Sequence, residues 1–204
     1  MLDLFRYRQL NVNQIFEAGE LLGFETRNKY QVMDESHGLI AYAAEEKKGI
    51  LDFLARNFLG HWRNFNIHFF DSQRQVIMTA RHPFRFFFQR LEVFNAQGQF
   101  MGAIQQRFGI LSKRFDVENE HGQCIFEVAS PLLSLWTFPF LSHGREIACV
   151  RKKWSGLLSE AFTDRDRFSV EFQESDLNNN ERHLILAASI FIDLRYFEQK
   201  SARN

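Results

Sequence analysis

The chain has 204 residues, and its 25 lysines and arginines are balanced by 25 aspartates and glutamates, giving a formal net charge of zero. This balance excludes the strongly basic surface typical of non-specific nucleic-acid binding, so we expect no nucleic-acid partner. The composition, with 45% hydrophobic and 25% charged residues, is that of a folded globular domain, and its 24 phenylalanines must either fill an interior or meet lipid.

The N-terminal region, residues 1–14, contains Arg6 and Arg8 but no apolar run behind them, so it does not have the pattern of a secretory signal. We therefore expect an intracellular protein. Cys124 and Cys149 lack the C-x-x-C spacing of a zinc site and are too few for a disulfide framework. We predict that both are small core residues in strands.

Hairpins follow one another along most of the chain. Each combines a short alternating strand, a turn with Asp, Asn or Gly, and a second alternating strand. The turns Asn95 to Gly98 and Asn119 to Gly122 are the clearest, because a glycine in that position readily takes a positive φ. The predicted hairpins cover residues 30–42, 65–80, 91–104, 115–128 and 136–149.

Two further predicted strands, at 21–26 and 168–172, bring the total to about twelve. A meander of this size is expected to close on itself, because closure removes the exposed edges of the sheet. We therefore predict an all-β fold, a closed antiparallel barrel of about twelve strands. It would form a single domain over residues 1–204, with the barrel at about 14–178.

The longest apolar run is Leu184–Ile192, which is far shorter than the ~20 residues of a membrane-spanning helix. Because it is apolar on nearly every face, it indicates a helix surrounded by protein. A twelve-stranded barrel encloses more space than its own side chains fill, so we predict a central helix at about 181–198 inside it. Its predicted core residues are Leu184, Leu186, Ile190 and Phe191.

Lys47–Arg63 has an amphipathic pattern when placed on a helix. Apolar residues share one face or flank it, and the charged residues Asp52, Arg56 and Arg63 lie opposite. This pattern is typical of a helix that lies in the plane of a membrane surface, and equally of a helix packed on a sheet. The candidate lipid contacts in this segment are Leu51, Phe53, Leu54 and Phe58.

A cluster of rings follows at Pro83–Arg90, where phenylalanines alternate with or adjoin basic residues. Side chains of a strand alternate between its faces, so these rings cannot all point inward. Either the strand is buried on both faces, or some of the rings leave the protein and contact lipid next to basic residues. The candidate lipid contacts here are Phe84, Arg85, Phe86, Phe87, Phe88 and Arg90.

Four segments, residues 24–46, Pro83 with Phe84, residues 152–172 and residues 185–198, together resemble the phospholipid scramblase family. The resemblance implies a Tubby-like fold, a twelve-stranded barrel around a hydrophobic C-terminal helix. It also implies calcium-activated, bidirectional and ATP-independent movement of phospholipids between leaflets, by a cytoplasmic protein at the inner face of the plasma membrane.

The chain departs from the pattern of animal scramblases in two places. It lacks their Pro-rich N-terminal region, and it has residues 84–89 where they carry a run of palmitoylated cysteines. It therefore resembles a minimal form of the family. Inserted phenylalanine rings could replace the acyl chain physically, since buried acyl groups contribute ~0.8 kcal/mol of membrane affinity per CH₂.

The resemblance places a proposed calcium segment from Thr163 onward. Asp164 and Asp166 match the first and third ligand positions of a helix-loop-helix calcium loop, but phenylalanine and serine occupy later ligand positions. Glu174 and Asp176 could close a loose Ca²⁺ site from the far side. The alternative is a charged turn before a barrel strand, and the chain otherwise requires no cofactor.

The sequence has none of the G-x-S-x-G, G-x-x-x-x-G-K or H-E-x-x-H motifs, so we expect no enzyme. Three functions stay open. The protein could translocate phospholipids, although a headgroup path would have to cross ~30 Å of hydrocarbon. It could bind or sense membrane phospholipids as a peripheral module, or its aromatic surface could bind a protein partner.

Overall fold

The computed structural model describes residues 2–15, 26–46, 64–109, 112–131, 136–153, 167–173 and 176–196. These residues form twelve strands and a C-terminal helix. The elements are β1 (Gln9–Ile15), β2 (Thr26–Met33), β3 (Leu39–Glu46), β4 (Phe65–Asp71), β5 (Val76–His82), β6 (Arg90–Asn95), β7 (Phe100–Arg107), β8 (Ser112–Asn119), β9 (Cys124–Pro131), β10 (Thr137–Ser142), β11 (Arg145–Lys153), β12 (Arg167–Phe172) and α1 (Asn179–Tyr196).

The strands form one closed antiparallel barrel. Each strand pairs with the next in sequence, and β1 closes the ring by pairing with β12, with Leu10 opposite Val170 and Val12 opposite Phe168. Closure leaves no strand edge of this sheet unpaired, which is the physical reason that a long meander adopts it. The predicted closed barrel of about twelve strands is confirmed.

The first strand of the barrel is β1, which the sequence analysis did not predict. The strand predicted at 21–26 lies, except for its last residue, outside the described residues. β1 escaped notice because polar side chains interrupt its apolar alternation. Gln14 points inward, is buried, and donates a hydrogen bond to the side chain of Asn28 at 3.3 Å.

The tight hairpin turns between β2 and β3, β4 and β5, β6 and β7, β8 and β9, and β10 and β11 all lie at one end of the barrel, which we call the turn end. In the β6–β7 turn, the side-chain oxygen of Asn95 accepts hydrogen bonds from the backbone N–H groups of Gln97 and Gln99 at 3.0 and 2.9 Å. Gly98 takes φ 78°, as the Asn-to-Gly spacing predicts.

The connections at the opposite end, which we call the loop end, are longer. Residues 83–89 join β5 to β6 there, and antiparallel order places the ends of the strands that flank 47–63 and 154–166 at the same end. The barrel is therefore asymmetric. One end carries short hydrogen-bonded turns, and the strands that flank most of the predicted lipid and calcium contacts end at the other.

The helix α1 starts at the turn end and packs inside the barrel. Its predicted core residues Leu184, Leu186, Ile190 and Phe191 are all buried. The ring of Phe191 lies 5.9 Å from the rings of both Phe115 and His82, measured between centroids. The prediction of a buried central helix is confirmed.

Gly102 on β7 allows α1 to approach the barrel wall closely. It takes φ 150°, and a Cβ atom there would lie 2.2 Å from the backbone oxygen of Glu118 and 3.0 Å from Cδ1 of Leu184. A larger residue would clash with both the wall and the helix.

The N-terminal segment packs against the start of α1 at the turn end. The side chain of Asn179 accepts a hydrogen bond from the backbone N–H of Leu4 and donates one to the carbonyl of Leu2, each at 2.9 Å. Arg182 is buried and donates to the carbonyls of Leu4 and Tyr7 at 3.1 and 2.7 Å. These bonds fasten the N-terminal segment across the turn end.

The cysteines differ in their burial. Cys149 is buried in β11, as predicted, and burial raises the pKa of its thiol to about 11. Cys124 is exposed, so the prediction of a core position for it is wrong. It is the first residue of β9, directly after the β8–β9 turn, where the strand has not yet entered the packed part of the wall.

Candidate functional site

The phenylalanines between β5 and β6 point away from the protein. Phe84, Phe86, Phe87 and Phe88 are 39%, 61%, 82% and 47% exposed, and residues 83–89 are not a strand. The alternative of a strand buried on both faces is therefore wrong. The loop leaves the barrel wall after His82 and returns to it at Arg90, so alternation does not constrain its side chains.

A further exposed ring, Phe108, lies beside this loop and was missed by the sequence analysis. Phe108 is 69% exposed and follows the end of β7. Arg90 of β6 pairs with Gln105 of β7. Beyond this pair, the N–H of Gln106 donates a hydrogen bond to the carbonyl of Gln89. The residues after β7 therefore lie next to the loop. We call the exposed phenylalanines of the loop end the aromatic rim: Phe84, Phe86, Phe87, Phe88 and Phe108.

Glutamine side chains fasten the loop that carries the rim. Gln89 donates from its side chain to the carbonyl of Arg85 at 3.0 Å, and Gln105 donates to the carbonyl of Phe88, also at 3.0 Å. The backbone N–H of Gln89 donates to the side-chain oxygen of Gln106 at 3.1 Å. These bonds hold Phe88 at φ 48°, and the exposed rings therefore stand on a defined backbone.

The basic residues around the rim have different surroundings. Arg85 and Arg81 are exposed, and the Arg81 guanidinium lies 4.5 Å from the ring centroid of Phe94. Arg90, predicted as a lipid contact, forms ion pairs with Glu118 at 2.6 Å and Glu92 at 3.3 Å on the barrel wall. These carboxylates balance the charge of Arg90, so Arg85 is the predicted basic contact that the structure places among the exposed rings.

The inner face of the barrel is polar near the loop end. On one side, Asn28 donates to the carboxylate of Glu45 at 2.7 Å, and the Tyr30 hydroxyl donates to the carboxylate of Asp193 at 2.7 Å. On the other side, Lys113 lies over a ring of the inner face. Among the described residues, this change from an apolar interior to a polar one marks the loop end.

Lys152 of β11 also points inward near the loop end, with its Nζ over the ring of Trp136. Neither lysine was predicted as a site residue from the sequence. The signal was present, because Lys113 is in phase with the inward residues Phe115 and Val117 of β8.

Several predicted site residues lie outside the described residues. They are Leu51, Phe53, Leu54, Phe58, Asp164, Asp166 and Glu174. Asp176 is described, and it lies exposed before α1 at the turn end, at the opposite end of β12 from Arg167. Among the residues that the structure describes, no group of three or more His, Cys, Asp or Glu side chains is arranged to hold a metal ion.

No helix within the described ranges is long and apolar enough to cross a bilayer.

A structural comparison finds the same architecture in a solved protein from Arabidopsis thaliana. The match has a TM-score of 0.51 with 14% sequence identity, and it covers 94% of this chain and 95% of the plant protein. At this identity the likeness concerns the fold alone.

Sequence comparisons are more specific. The family model described as Scramblase matches residues 2–199. Phospholipid scramblase 1 of Mus musculus is 30% identical over 206 residues, covering 94% of this chain and 61% of the mouse protein. Phospholipid scramblase 1 of Homo sapiens is 26% identical, covering 96% of this chain and 65% of the human protein.

A fungal relative, altered inheritance rate of mitochondria protein 25 of Saccharomyces cerevisiae, is 25% identical and covers 97% of this chain and 71% of its own length. The chain thus spans only part of its relatives, 61% in the case of the mouse protein. The family match nevertheless extends over almost all of the chain. This chain is a member of the Scramblase family.

Proposed function

We propose that the protein acts on membrane phospholipids and binds the membrane surface with the loop end of its barrel. The observation that carries this proposal is the aromatic rim, a group of exposed phenylalanines on a fastened loop. Exposed contiguous aromatic surface is typical of a contact site for a membrane or a partner. Membership of the Scramblase family favours the membrane.

The chemistry of the rim suits the interfacial region of a bilayer. Phenylalanine rings gain free energy by leaving water, and Arg85 beside them would lie near the anionic headgroups of a cytoplasmic leaflet. We therefore place the protein at the inner face of the plasma membrane, as a peripheral protein. This mode of binding needs no rearrangement of the barrel.

Translocation of phospholipids between leaflets is the second candidate function. It is favoured by the printed names of the mouse and human relatives, which are phospholipid scramblases. Among the described residues, α1 fills the barrel interior with Leu186, Ile190 and Phe191 and leaves no passage for a headgroup. Translocation would therefore have to proceed along the outer surface, or through bilayer that the rim has perturbed.

The first experiment changes the rim and measures vesicle binding. The variant Phe86→Ser/Phe87→Ser/Phe88→Ser is compared with the natural chain by sedimentation with neutral and anionic vesicles, with and without Ca²⁺. We expect the partition coefficient of the variant for anionic vesicles to be at least tenfold lower than that of the natural chain. A loss of roughly 1.4 kcal/mol of ring-insertion free energy is enough for that factor.

A matched control removes exposed apolar side chains from the turn end. Phe5, Leu39 and Val76 are exposed there, so Phe5→Ser/Leu39→Ser/Val76→Ser changes the same number of apolar residues. We expect this control to bind vesicles as the natural chain does. Equal loss in both triple variants, with both folded by circular dichroism, would contradict the proposed orientation.

The same samples decide between the two candidate functions. Leaflet exchange of a labelled phospholipid is measured alongside sedimentation. Binding without exchange above background supports a peripheral phospholipid-binding module and opposes translocation, whereas exchange that is lost in the rim variant supports translocation. If the natural chain binds no vesicle, the proposal is wrong and a protein partner becomes the better account of the rim.

A further inference from the structure

The loop that carries the aromatic rim is fastened at one peptide group in particular, the one that joins Phe88 to Gln89. We propose that Gln105, oriented by Arg90, is a positioning residue that fixes this peptide group and thereby presents the rim for membrane contact. The inference rests on the proposed function, because it gives a role in membrane binding to side chains of the barrel wall that are not part of the rim.

Side chains of two consecutive residues of β7 hold this peptide group at both of its polar atoms. The carbonyl of Phe88 accepts a hydrogen bond from Nε2 of Gln105 at 3.0 Å. The N–H of Gln89 donates to Oε1 of Gln106 at 3.1 Å, and the N–H of Gln106 donates to the carbonyl of Gln89 at 2.8 Å. The peptide plane therefore cannot rotate without breaking one of these bonds.

The backbone of Phe88 needs such support. Phe88 has φ 48°, in the left-handed region, which a residue with a bulky side chain rarely occupies. Such a conformation persists only where surrounding contacts determine it. The side chain of Phe88 is 47% exposed, so packing of its own ring contributes little, and the hydrogen bonds to the flanking peptide group are the contacts that remain.

Arg90 determines which way the amide of Gln105 points. The Oε1 atom of Gln105 accepts a hydrogen bond from Nη1 of Arg90 at 3.2 Å. Because a guanidinium only donates, the amide oxygen must face Arg90, and the NH₂ group then faces the carbonyl of Phe88. Arg90 is held in turn by Glu118 at 2.6 Å.

These contacts form a chain of hydrogen bonds from the barrel wall to the rim. It runs from Glu118 on β8 to Arg90 on β6, then to Gln105 on β7 and to the loop. Gln105 is only 6% exposed, so water competes little for these bonds. The inference thus gives Arg90 a role different from the predicted lipid contact.

A loop that is held before binding improves membrane affinity. Rings on a mobile loop lose conformational freedom when they insert, and this cost reduces the binding free energy. The rings of Phe84 and Phe86 already contact each other edge to face, with centroids 4.9 Å apart. Fixing the Phe88–Gln89 peptide group holds the other end of the same loop.

The first test compares two variants that differ in one hydrogen bond. Gln105→Glu retains an oxygen for Arg90 but places a second oxygen against the carbonyl of Phe88, where two acceptors repel each other. Gln106→Glu retains the acceptor for the N–H of Gln89. Both variants add one negative charge at neighbouring positions, so Gln106→Glu measures the effect of the charge alone.

Hydrogen exchange of the free protein reports on the loop directly. In Gln105→Glu, we expect amides in a peptide covering residues 84–90 to exchange about fivefold or more faster than in the natural chain, because the bonds that protect them are weakened. Gln106→Glu should stay within about twofold of the natural chain. The turn at residues 95–99 is the internal reference and should exchange equally in all three proteins.

Vesicle sedimentation then measures the role in binding. We expect the partition coefficient of Gln105→Glu on anionic vesicles to be about fivefold or more below that of Gln106→Glu, because the loop must be ordered when it binds. Thermal melts establish that each variant is folded.

A second pair of variants separates positioning by Arg90 from contact with lipid. Arg90→Gln and Arg85→Gln each remove one positive charge near the rim. Only Arg90→Gln should speed exchange of the loop, because the side chain of Arg85 is exposed and only its backbone carbonyl takes part in fastening the loop. Unchanged loop exchange in Arg90→Gln would show that Arg90 does not orient Gln105.

The remaining outcomes distinguish this inference from the proposed function. Equal loop exchange in Gln105→Glu and Gln106→Glu overturns the inference, and so does faster exchange over the whole barrel, which would make Gln105 a residue of general stability. Faster loop exchange with vesicle binding equal to that of Gln106→Glu overturns it too, while membrane contact by the rim stands. If the natural chain binds no vesicles, the proposed function is wrong, and the role of Gln105 in membrane binding is overturned with it.

Discussion

His183 is a buried ionisable residue on the helix that fills the barrel. Its Nδ1 donates to the carbonyl oxygen of Asn179 at 2.7 Å, and its Nε2 is buried without a hydrogen-bond partner. Burial lowers the pKa of His183 to about 4, because a charged imidazole would be poorly solvated there. The folded protein thus holds His183 neutral, and protonation opposes folding.

We expect this histidine to make stability fall as the pH decreases from 6.5 to 4. The unfolded state binds the proton first, since its pKa is ordinary, so the contribution is fully present above pH 6.5 and is lost through this window. The lowered pKa corresponds to ~3 kcal/mol of unfolding free energy. Urea denaturation at several pH values measures it.

The control for this prediction is His183→Asn, which keeps an amide donor and removes the titrating ring. The difference in unfolding free energy between the natural chain and the variant should shrink as the pH falls from 6.5 to 4. If the two pH profiles are parallel across this range, His183 does not carry the effect.

At the level of single residues, the sequence predicted the turns better than the charges. The side chain of Asn95 bonds the backbone of its own turn, and Gly98 supplies the positive φ that the turn needs. The spacing of these two residues was therefore sufficient to predict the turn. Arg90 has no such local constraint. Its ion pair with Glu118 joins β6 to β8, strands that lie apart in sequence, and only the register brings the two together.

At the level of elements, α1 and the 83–89 loop place phenylalanines in opposite environments. Phe191 is buried against Phe115 and His82, whereas Phe87 is 82% exposed. The apolar run of α1 could be predicted as buried because every face of it is apolar. The environment of the loop's rings could not be predicted from its sequence. The loop has more phenylalanines than one face of a strand can hold, but its sequence does not determine whether the remaining rings are buried or exposed.

The same substitution should therefore have very different effects on stability at these two positions. Phe191→Ala removes a ring from the packed interior and should lower the unfolding free energy by about 3–5 kcal/mol. Phe87→Ala should change it by about 0.5 kcal/mol or less. Chemical denaturation of the two variants checks this, and a cost above about 2 kcal/mol for Phe87→Ala would contradict the exposure of that ring.

At the level of the whole molecule, the two ends of the barrel differ in architecture and in proposed role. The turn end has short hydrogen-bonded turns and the fastened N-terminal segment. The loop end has the aromatic rim outside and the two lysines inside. Closure was predictable from the regular meander, but the exposure of the rings at one end and the packing of the N-terminal segment at the other depend on contacts between residues far apart in sequence.

The central claim is that the loop end, and not the turn end, contacts the membrane. The most direct test places an environment-sensitive fluorophore at either end of β6, through Phe87→Cys or Gln97→Cys, in a Cys124→Ser background. Both positions are exposed, and Gln97 lies in a turn at the turn end. On anionic vesicles we expect a blue shift and protection from an aqueous quencher at position 87 alone. Protection at position 97, or a water-exposed label at position 87 in vesicle-bound protein, would contradict the account.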